Sequence, residues 1–446
     1  MPEMTSLEWC LIGYCLLNVW CLGAVTLKYR TLFHPLLFPG LQLLVMAGLA
    51  PMAQNIASVL TSSDEFWAQT SLLTSLYVVG LTWPMLTNLN PLLGVVERLL
   101  GPFEFSRARR SADCQLQVSG SLSRQDSQFS TAALASQIFT ALLAACGVVC
   151  FGLLIRESSA GALWLADPRT AYLDGRAATG HWYVLSQTFL FLSYLNWLYY
   201  SRPKNRMLVI VGTFAATVAF FFFGSKAAMV GVILAGVVYY NYFVRCFTWS
   251  EIGLGLASGI PLVVISPWLQ GNFDRLTDTL LYYDYFNNAS MYLCTADRFS
   301  PMYGGGFISS LWEYVPRRFF SEKPYVYGNI VINEYFFPGA AKTGYTPGWL
   351  PWIALHLDFG TFGVAAGAVA LGFLNKAIYT YFLKYRTFLG YLCFLQTAFI
   401  PILKLAPVMY FVVLLLGLSV GIRTVHGMVR MLMSGATRMI YGERPA

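Results

Sequence analysis

The chain has 446 residues, of which 57% are hydrophobic, 16% aromatic and only 11% charged, with a net charge of +8. Soluble domains carry about 25% charged residues, so this composition leaves too little polar surface for water and excludes a soluble enzyme, a disordered chain, a secreted disulfide scaffold and a DNA-binding domain. A single integral membrane domain over residues 1–446 is expected, with Trp and Tyr supplying the belts typical of membrane interfaces.

A spanning helix needs about 20 mostly apolar residues. In chain order, such segments lie near 7–27, 36–58, 66–89, 131–155, 182–200, 208–223, 227–244, 251–268, 351–379, 388–404 and 405–424. The pattern predicts an all-α polytopic protein with about 11 transmembrane helices, within a range of about 10–13 because neighbouring runs merge around Gly224 and Lys404. Glu3 and Glu8 precede the first run without a basic leader or a small-residue cleavage site, so that run reads as a retained helix. The nine cysteines form no Cys-x-x-Cys pair and the chain has four histidines, so no zinc or iron–sulfur site is expected.

Alternate connections differ in charge. One set, from Lys28 and Arg30 through Arg98, Arg107, Arg202, Arg245 and Lys384 to Arg444, holds 18 of the 29 basic residues and six acids, a net of +12. The other set nets −4. The positive-inside rule places the first set in the cytoplasm, with the N-terminus outside and the C-terminus cytoplasmic. Residues 97–130 are then a solvated cytoplasmic loop, 156–181 an outward loop, and 269–350 a large, partly helical outward loop. A long loop rich in Tyr, Phe, Trp, Arg and Asp, rather than in Ser or Gly, is expected to fold and to carry the site.

Within that loop Phe273, Leu276, Leu280 and Tyr283 recur at helical spacing, Gly304–Gly306 break the chain, and Phe307, Ile308, Leu311, Trp312 and Val315 form a second apolar stripe. Arg317, Arg318 and Lys323 follow it; three cations in seven residues on the outer face point to an anionic ligand, and the arginine fork suits phosphate. Arg169, Arg176, Arg275 and Arg298 add further outward guanidinium groups. The turn Gly224-Ser225-Lys226 opens a helix that runs inward, so Ser225 can cap it and Lys226 stands beside its positive end, a ready anion site. Each of these cations has an ordinary alternative as a surface ion pair or a headgroup contact. Asp284, Glu334 and His356 are the candidate bases, and Tyr283, Trp312 and Tyr325 are candidates for stacking on sugar rings. No phosphate-binding GxxxxGK[ST] loop, GxSxG elbow or HExxH occurs.

Four stretches carry a resemblance. They are Arg169 to His181; Gly224-Ser225-Lys226-Ala227-Ala228; the Asp-, Arg- and Tyr-rich outward loop; and Val315-Pro316-Arg317-Arg318 through Lys323-Pro324, followed by Asp358-Phe359-Gly360-Thr361-Phe362-Gly363. In their order and topology they resemble the Wzy-type O-antigen and exopolysaccharide repeat-unit polymerases. That resemblance implies a GT-C-like membrane fold in the bacterial inner membrane and an inverting, metal-independent glycosyl transfer with no cofactor. Its substrates would be polyprenyl-diphosphate-linked glycans as donor and acceptor. Membrane lipid, a chain-length regulator and a flippase would be the partners, and nucleic acid would not. An O-antigen ligase would have the same diphosphate pocket, and a lipid-linked oligosaccharide transporter would also need outward cations.

Overall fold

The computed structural model describes residues 6–49, 64–100, 123–201, 205–248, 285–315, 322–324, 330–339 and 348–399, with isolated positions at 51, 250–251, 320, 326 and 328 and between 417 and 431. Among these residues the structure is helical, with no strand. Three helical segments are long and apolar enough to cross a membrane: Glu8–Tyr29, Ser136–Glu157 and Ile353–Tyr385. Shorter apolar helices cover Leu37–Gly48, Arg206–Phe221, Ala228–Val244 and Phe388–Thr397. The expected spans at 251–268 and, for most of its length, at 405–424 lie outside the described residues.

The chain divides into two compact units. Unit 1 comprises Met1–Gly101, Phe247–Arg386 and Gly390–Val408; unit 2 comprises Pro102–Cys246, Thr387–Leu389 and Met409–Ala446.

In unit 1, α1 (Ser6–Tyr29) packs on α3 (Asp64–Leu86), and α3 packs on α13 (Ile353–Tyr385). The buried residues of α1, Leu11, Tyr14, Asn18, Cys21 and Val25, recur every three or four positions, whereas Trp9, Leu16, Trp20 and Leu27 stay exposed. Both faces are apolar, as expected of a helix with lipid on one side. The short α2 (Leu37–Leu44) lies against α1, where Asn18 donates to the Gly40 carbonyl at 3.2 Å. The α3–α13 crossing depends on small residues: a Cβ at Gly80 would stand 2.6 Å from that of Ala368, and one at Gly372 would stand 2.7 Å from the Leu81 carbonyl oxygen. Close backbone approach of this kind is how helices associate where lipid removes the hydrophobic drive between them. The buried Lys376 of α13 donates to the Thr87 carbonyl at 2.6 Å, just beyond the end of α3. A short α4 (Leu93–Leu100) then packs on α13 through Val96, Ala377 and Tyr381.

In unit 2, α5 (Ser123–Glu157) runs against α7 (Pro168–Ser201) over most of its length, with the four-residue α6 (Leu163–Ala166) between them in the chain. Polar side chains join the pair: Ser186 donates to the Gly147 carbonyl at 2.7 Å, Ser193 to the Thr140 carbonyl at 2.9 Å, and Asn196 to the Thr140 hydroxyl at 2.8 Å. Next come α8 (Arg206–Phe221) and α9 (Lys226–Tyr239), an antiparallel pair closed by the 222–225 turn.

The connection at 156–181, expected to face outward, is largely helical. Its start has the chemistry of a helix beginning, with Asp167 as cap and Pro168 at the first position, where its missing N–H costs nothing. The resulting α7 continues to Ser201 with one interruption at Thr179, whose φ of −116° and ψ of 18° mark a kink near the expected start of the span at 182.

Candidate functional site

Two groups of residues from the connections expected to face outward are described, one in each unit. The group in unit 2 is built on helix beginnings. Asp167 accepts from the Thr170 backbone N–H at 3.2 Å and from its hydroxyl at 2.7 Å, and these bonds hold its carboxyl below the usual carboxylate range. Ser225 is extended (φ −105°, ψ 109°) and its hydroxyl accepts from Ala228 N–H, capping α9. Gly224 joins the two helices: its φ is +62°, and a Cβ there would run into the Pro168 carbonyl. Only glycine therefore lets the α8–α9 turn lie against the first residue of α7. Arg169 closes the junction, donating from Nη1 to the Gly224 carbonyl at 3.3 Å with its guanidinium 5.5 Å from the Tyr172 ring centre. Tyr183, one turn past the kink, donates to the Phe223 carbonyl at 3.3 Å. The positive ends of α7 and α9 thus adjoin, and the first-turn N–H groups of a helix have no intrahelical acceptor. Lys226 is the first residue of α9, and Arg176 lies on α7.

The group in unit 1 is assembled from α10 (Tyr285–Cys294), α11 (Gly305–Ser309), α12 (Ile330–Phe336) and the first turns of α13. The fixed point is a kink in α13 at Gly360, with φ +64° and ψ −158°. Just before it, the buried carboxylate of Asp358 accepts two backbone N–H bonds, from Gly306 to Oδ1 at 2.9 Å and from Phe307 to Oδ2 at 3.0 Å. Backbone bonds from Met302 to the Leu357 carbonyl (3.2 Å) and from Tyr303 to the Asp358 carbonyl (3.0 Å) continue the attachment. The Gly304–Gly306 break is therefore the point where the 302–307 segment is bolted onto α13. Gly304 itself has φ +88°.

Two residues from the same kink region, His356 and Trp352, tie α13 to α10 and α3. His356 Nδ1 lies 3.0 Å from the hydroxyl of Tyr292, and Trp352 donates to Thr74 at 3.0 Å. Burial pushes the Tyr292 hydroxyl well above the usual tyrosine range, with the Asp358 charge adding to the effect. An aromatic cluster of Tyr292, Phe299, Tyr335, Phe336 and Trp349 fills the space between α10 and α12. Arg298 is exposed at its edge and donates to the Tyr335 hydroxyl at 3.3 Å, which raises its already high affinity for its proton.

The sequence candidates fall as follows. Arg169 and Ser225 share the helix junction in unit 2, with Lys226 and Arg176 on its two helices. His356 and Arg298 belong to the assembly of α10, α11, α12 and the first turns of α13 in unit 1. Glu334 of α12 accepts from Gly339 N–H at 2.8 Å and closes the turn after its own helix. Trp312 sits on a 3-10 segment, Ser310–Tyr314, that continues α11, with its ring 6.4 Å from that of Phe320. Lys323 is half-buried in the turn that follows Phe320. Asp284, Arg275, Tyr283, Arg317, Arg318 and Tyr325 lie outside the described residues. Sequence reasoning missed the clamp by Asp358 and the contact of Tyr292 with His356. Their partners are 52 and 64 residues apart, and only the glycine triplet hinted at close backbone packing. Among the described residues no group of three or more His, Cys, Asp or Glu could hold a metal ion.

The chain is similar to two curated proteins described as O-antigen polymerase, from Salmonella typhimurium and Salmonella typhi. Each is 22% identical over 225 residues, covering 48% of this chain and 54% of the relative. The chain thus matches about half the length of these curated relatives. No protein-family model matches it, and no solved structure does.

Proposed function

We propose that the chain is a glycosyltransferase that polymerises polyprenyl-diphosphate-linked oligosaccharide repeat units at the outer face of the bacterial inner membrane. The observation that carries this reading is the junction of two helix beginnings in unit 2, fastened by Arg169 and possible only with glycine at 224. Helix N-termini and guanidinium groups are the means by which a protein holds a diphosphate without a metal. The similarity to proteins described as O-antigen polymerase supports the same reading.

The proposed reaction is an inverting displacement. A hydroxyl at the end of a single lipid-linked repeat unit attacks the anomeric carbon of the growing glycan. The carbon–oxygen bond to the diphosphate breaks, and polyprenyl diphosphate leaves with the bonding electron pair. In this reading the negative charge that develops on it is stabilised by Arg169, Arg176, Lys226 and the first-turn N–H groups of α9 in unit 2; Arg275, Arg298, Arg317, Arg318 and Lys323 of unit 1 are a separate set of cationic candidates for the same charge. The proton of the attacking hydroxyl passes to a carboxylate, with Asp284 and Glu334 as the candidates. Tyr283, Trp312 and Tyr325 offer faces for sugar rings.

The test uses a strain whose own polymerase has been deleted and whose glycan ladder is restored by this chain. Loss of one charge-assisted contact to the leaving group costs about 10²–10³ in rate, so Arg169→Gln, Arg317→Lys or Arg318→Lys should leave single repeat units at normal protein level. Lysine fails in this account because a point charge lacks the planar fork. Normal ladders from all three variants would remove these arginines from the reaction.

A further inference from the structure

We infer that Tyr292 fixes the ring of His356 with its proton on Nε2, so that His356 serves as a hydrogen-bond donor to an oxygen of the lipid-linked glycan and not as the general base. The inference rests on the function proposed above only for the identity of that oxygen.

The argument is one of hydrogen-bond accounting. Tyr292 is 2% exposed, and among the described residues its hydroxyl has a single partner, His356 Nδ1 at 3.0 Å. A buried hydroxyl whose proton finds no acceptor costs about as much as a lost hydrogen bond. If Nδ1 carried the ring proton and donated to the tyrosine oxygen, the tyrosine proton would have no such acceptor. The arrangement that satisfies both groups has the hydroxyl donating to a bare Nδ1, which leaves the ring proton on Nε2. Tyr292 is kept neutral, and therefore able to donate, by its burial. The ring is flanked by Trp352 at 6.1 Å and meets Tyr292 edge-on. His356 is only half-buried, and Nε2 has no hydrogen bond to the described residues. Two residues along the helix, Asp358 clamps the outward loop and holds the first turns of α13 in place. Tyr292 is on this account a positioning residue that sets the tautomer.

The test has two arms. In protein carrying ring-15N histidine and reconstituted in nanodiscs without substrate, the His356 signals, assigned by their loss in His356→Gln, should show a bare Nδ1 and a protonated Nε2. Tyr292→Phe should lower the Nε2–H population toward the mixture of a free neutral histidine, and an unchanged population would remove Tyr292 from setting the tautomer. A proton on Nδ1 in the parent protein would overturn the inference. The second arm measures ladder formation. Glutamine places an N–H close to where Nε2–H stands but cannot accept a proton as a base, so His356→Gln should stay within about tenfold of the parent. His356→Leu should fall by about 10²–10³-fold. If Gln is as inactive as Leu, the donor role fails. Full activity of the Leu variant would refute any contact with substrate. Absence of a ladder from the parent protein would count against the proposed function and leave the tautomer to the first arm.

Discussion

Asp358 shows how a buried carboxylate can be engaged by the backbone of a distant segment. Both carboxylate oxygens accept backbone N–H bonds, at 2.9 Å and 3.0 Å, and the side chain is 4% exposed. Hydrogen bonds to charged groups contribute about 1.5–3 kcal/mol each, and removing the acceptor strands one buried and one half-buried donor. Asp358→Ala should therefore lower the thermal stability of the detergent-purified protein and release the 302–307 segment, while Asp297→Ala, at an exposed position, should do neither. Melting temperature and amide hydrogen exchange over Met302–Phe307 measure the two effects. Unchanged exchange in Asp358→Ala would mean that the clamp does not hold the loop. The chemistry of Asp358 is visible in the sequence as an acid ahead of a Phe-Gly pair. Its partner is not visible, because Gly306 comes beside it only through the folding of the intervening chain.

At the scale of elements, the two glycines with the strongest backbone demands act for different reasons. Gly360 has φ +64° and ψ −158°, a region essentially closed to other residues, yet a Cβ there would meet nothing within 4 Å. Gly360→Ala should cost about 1–3 kcal/mol through strain alone and straighten or displace the kink that carries His356 and Asp358. Gly224→Ala combines a φ of +62° with collision against the Pro168 carbonyl, so it should part α7 from the α8–α9 turn and abolish the ladder. Gly231→Ala in α9, with open space around it, is the control expected to keep activity. Activity in Gly224→Ala equal to that of the control would detach the helix junction from function. The Gly224-Ser225-Lys226 turn was legible because its signals are local: a capping hydroxyl between two apolar runs, which the structure places as the cap of α9. The helical start at Pro168 was harder to read, since the hydropathy that marks a span begins only near 182, after the kink at Thr179.

For the molecule as a whole, composition and apolar run length announced the helical character of the described residues and the three helices long and apolar enough to cross a membrane, because those properties sum over many residues and need no partner. The construction of the α10–α13 assembly in unit 1 was not announced, because Tyr292–His356 and Gly306–Asp358 are long-range pairs that no local pattern encodes. The charge asymmetry of the connections makes a prediction about sidedness that two native cysteines can read. Cys294 and Cys246 are both exposed, the first in the connection expected to face outward and the second beside Arg245, which is expected in the cytoplasm. In single-cysteine versions, an impermeant maleimide should label Cys294 in intact cells, and Cys246 only after lysis. The reverse pattern would turn the topology over. The central claim is tested most directly by incubating the purified protein with lipid-linked repeat units, without nucleotide and with EDTA present. A ladder of lengthening lipid-linked glycans with release of polyprenyl diphosphate is the predicted result; persistence of single repeat units, or a ladder that forms only when magnesium is restored, would contradict it.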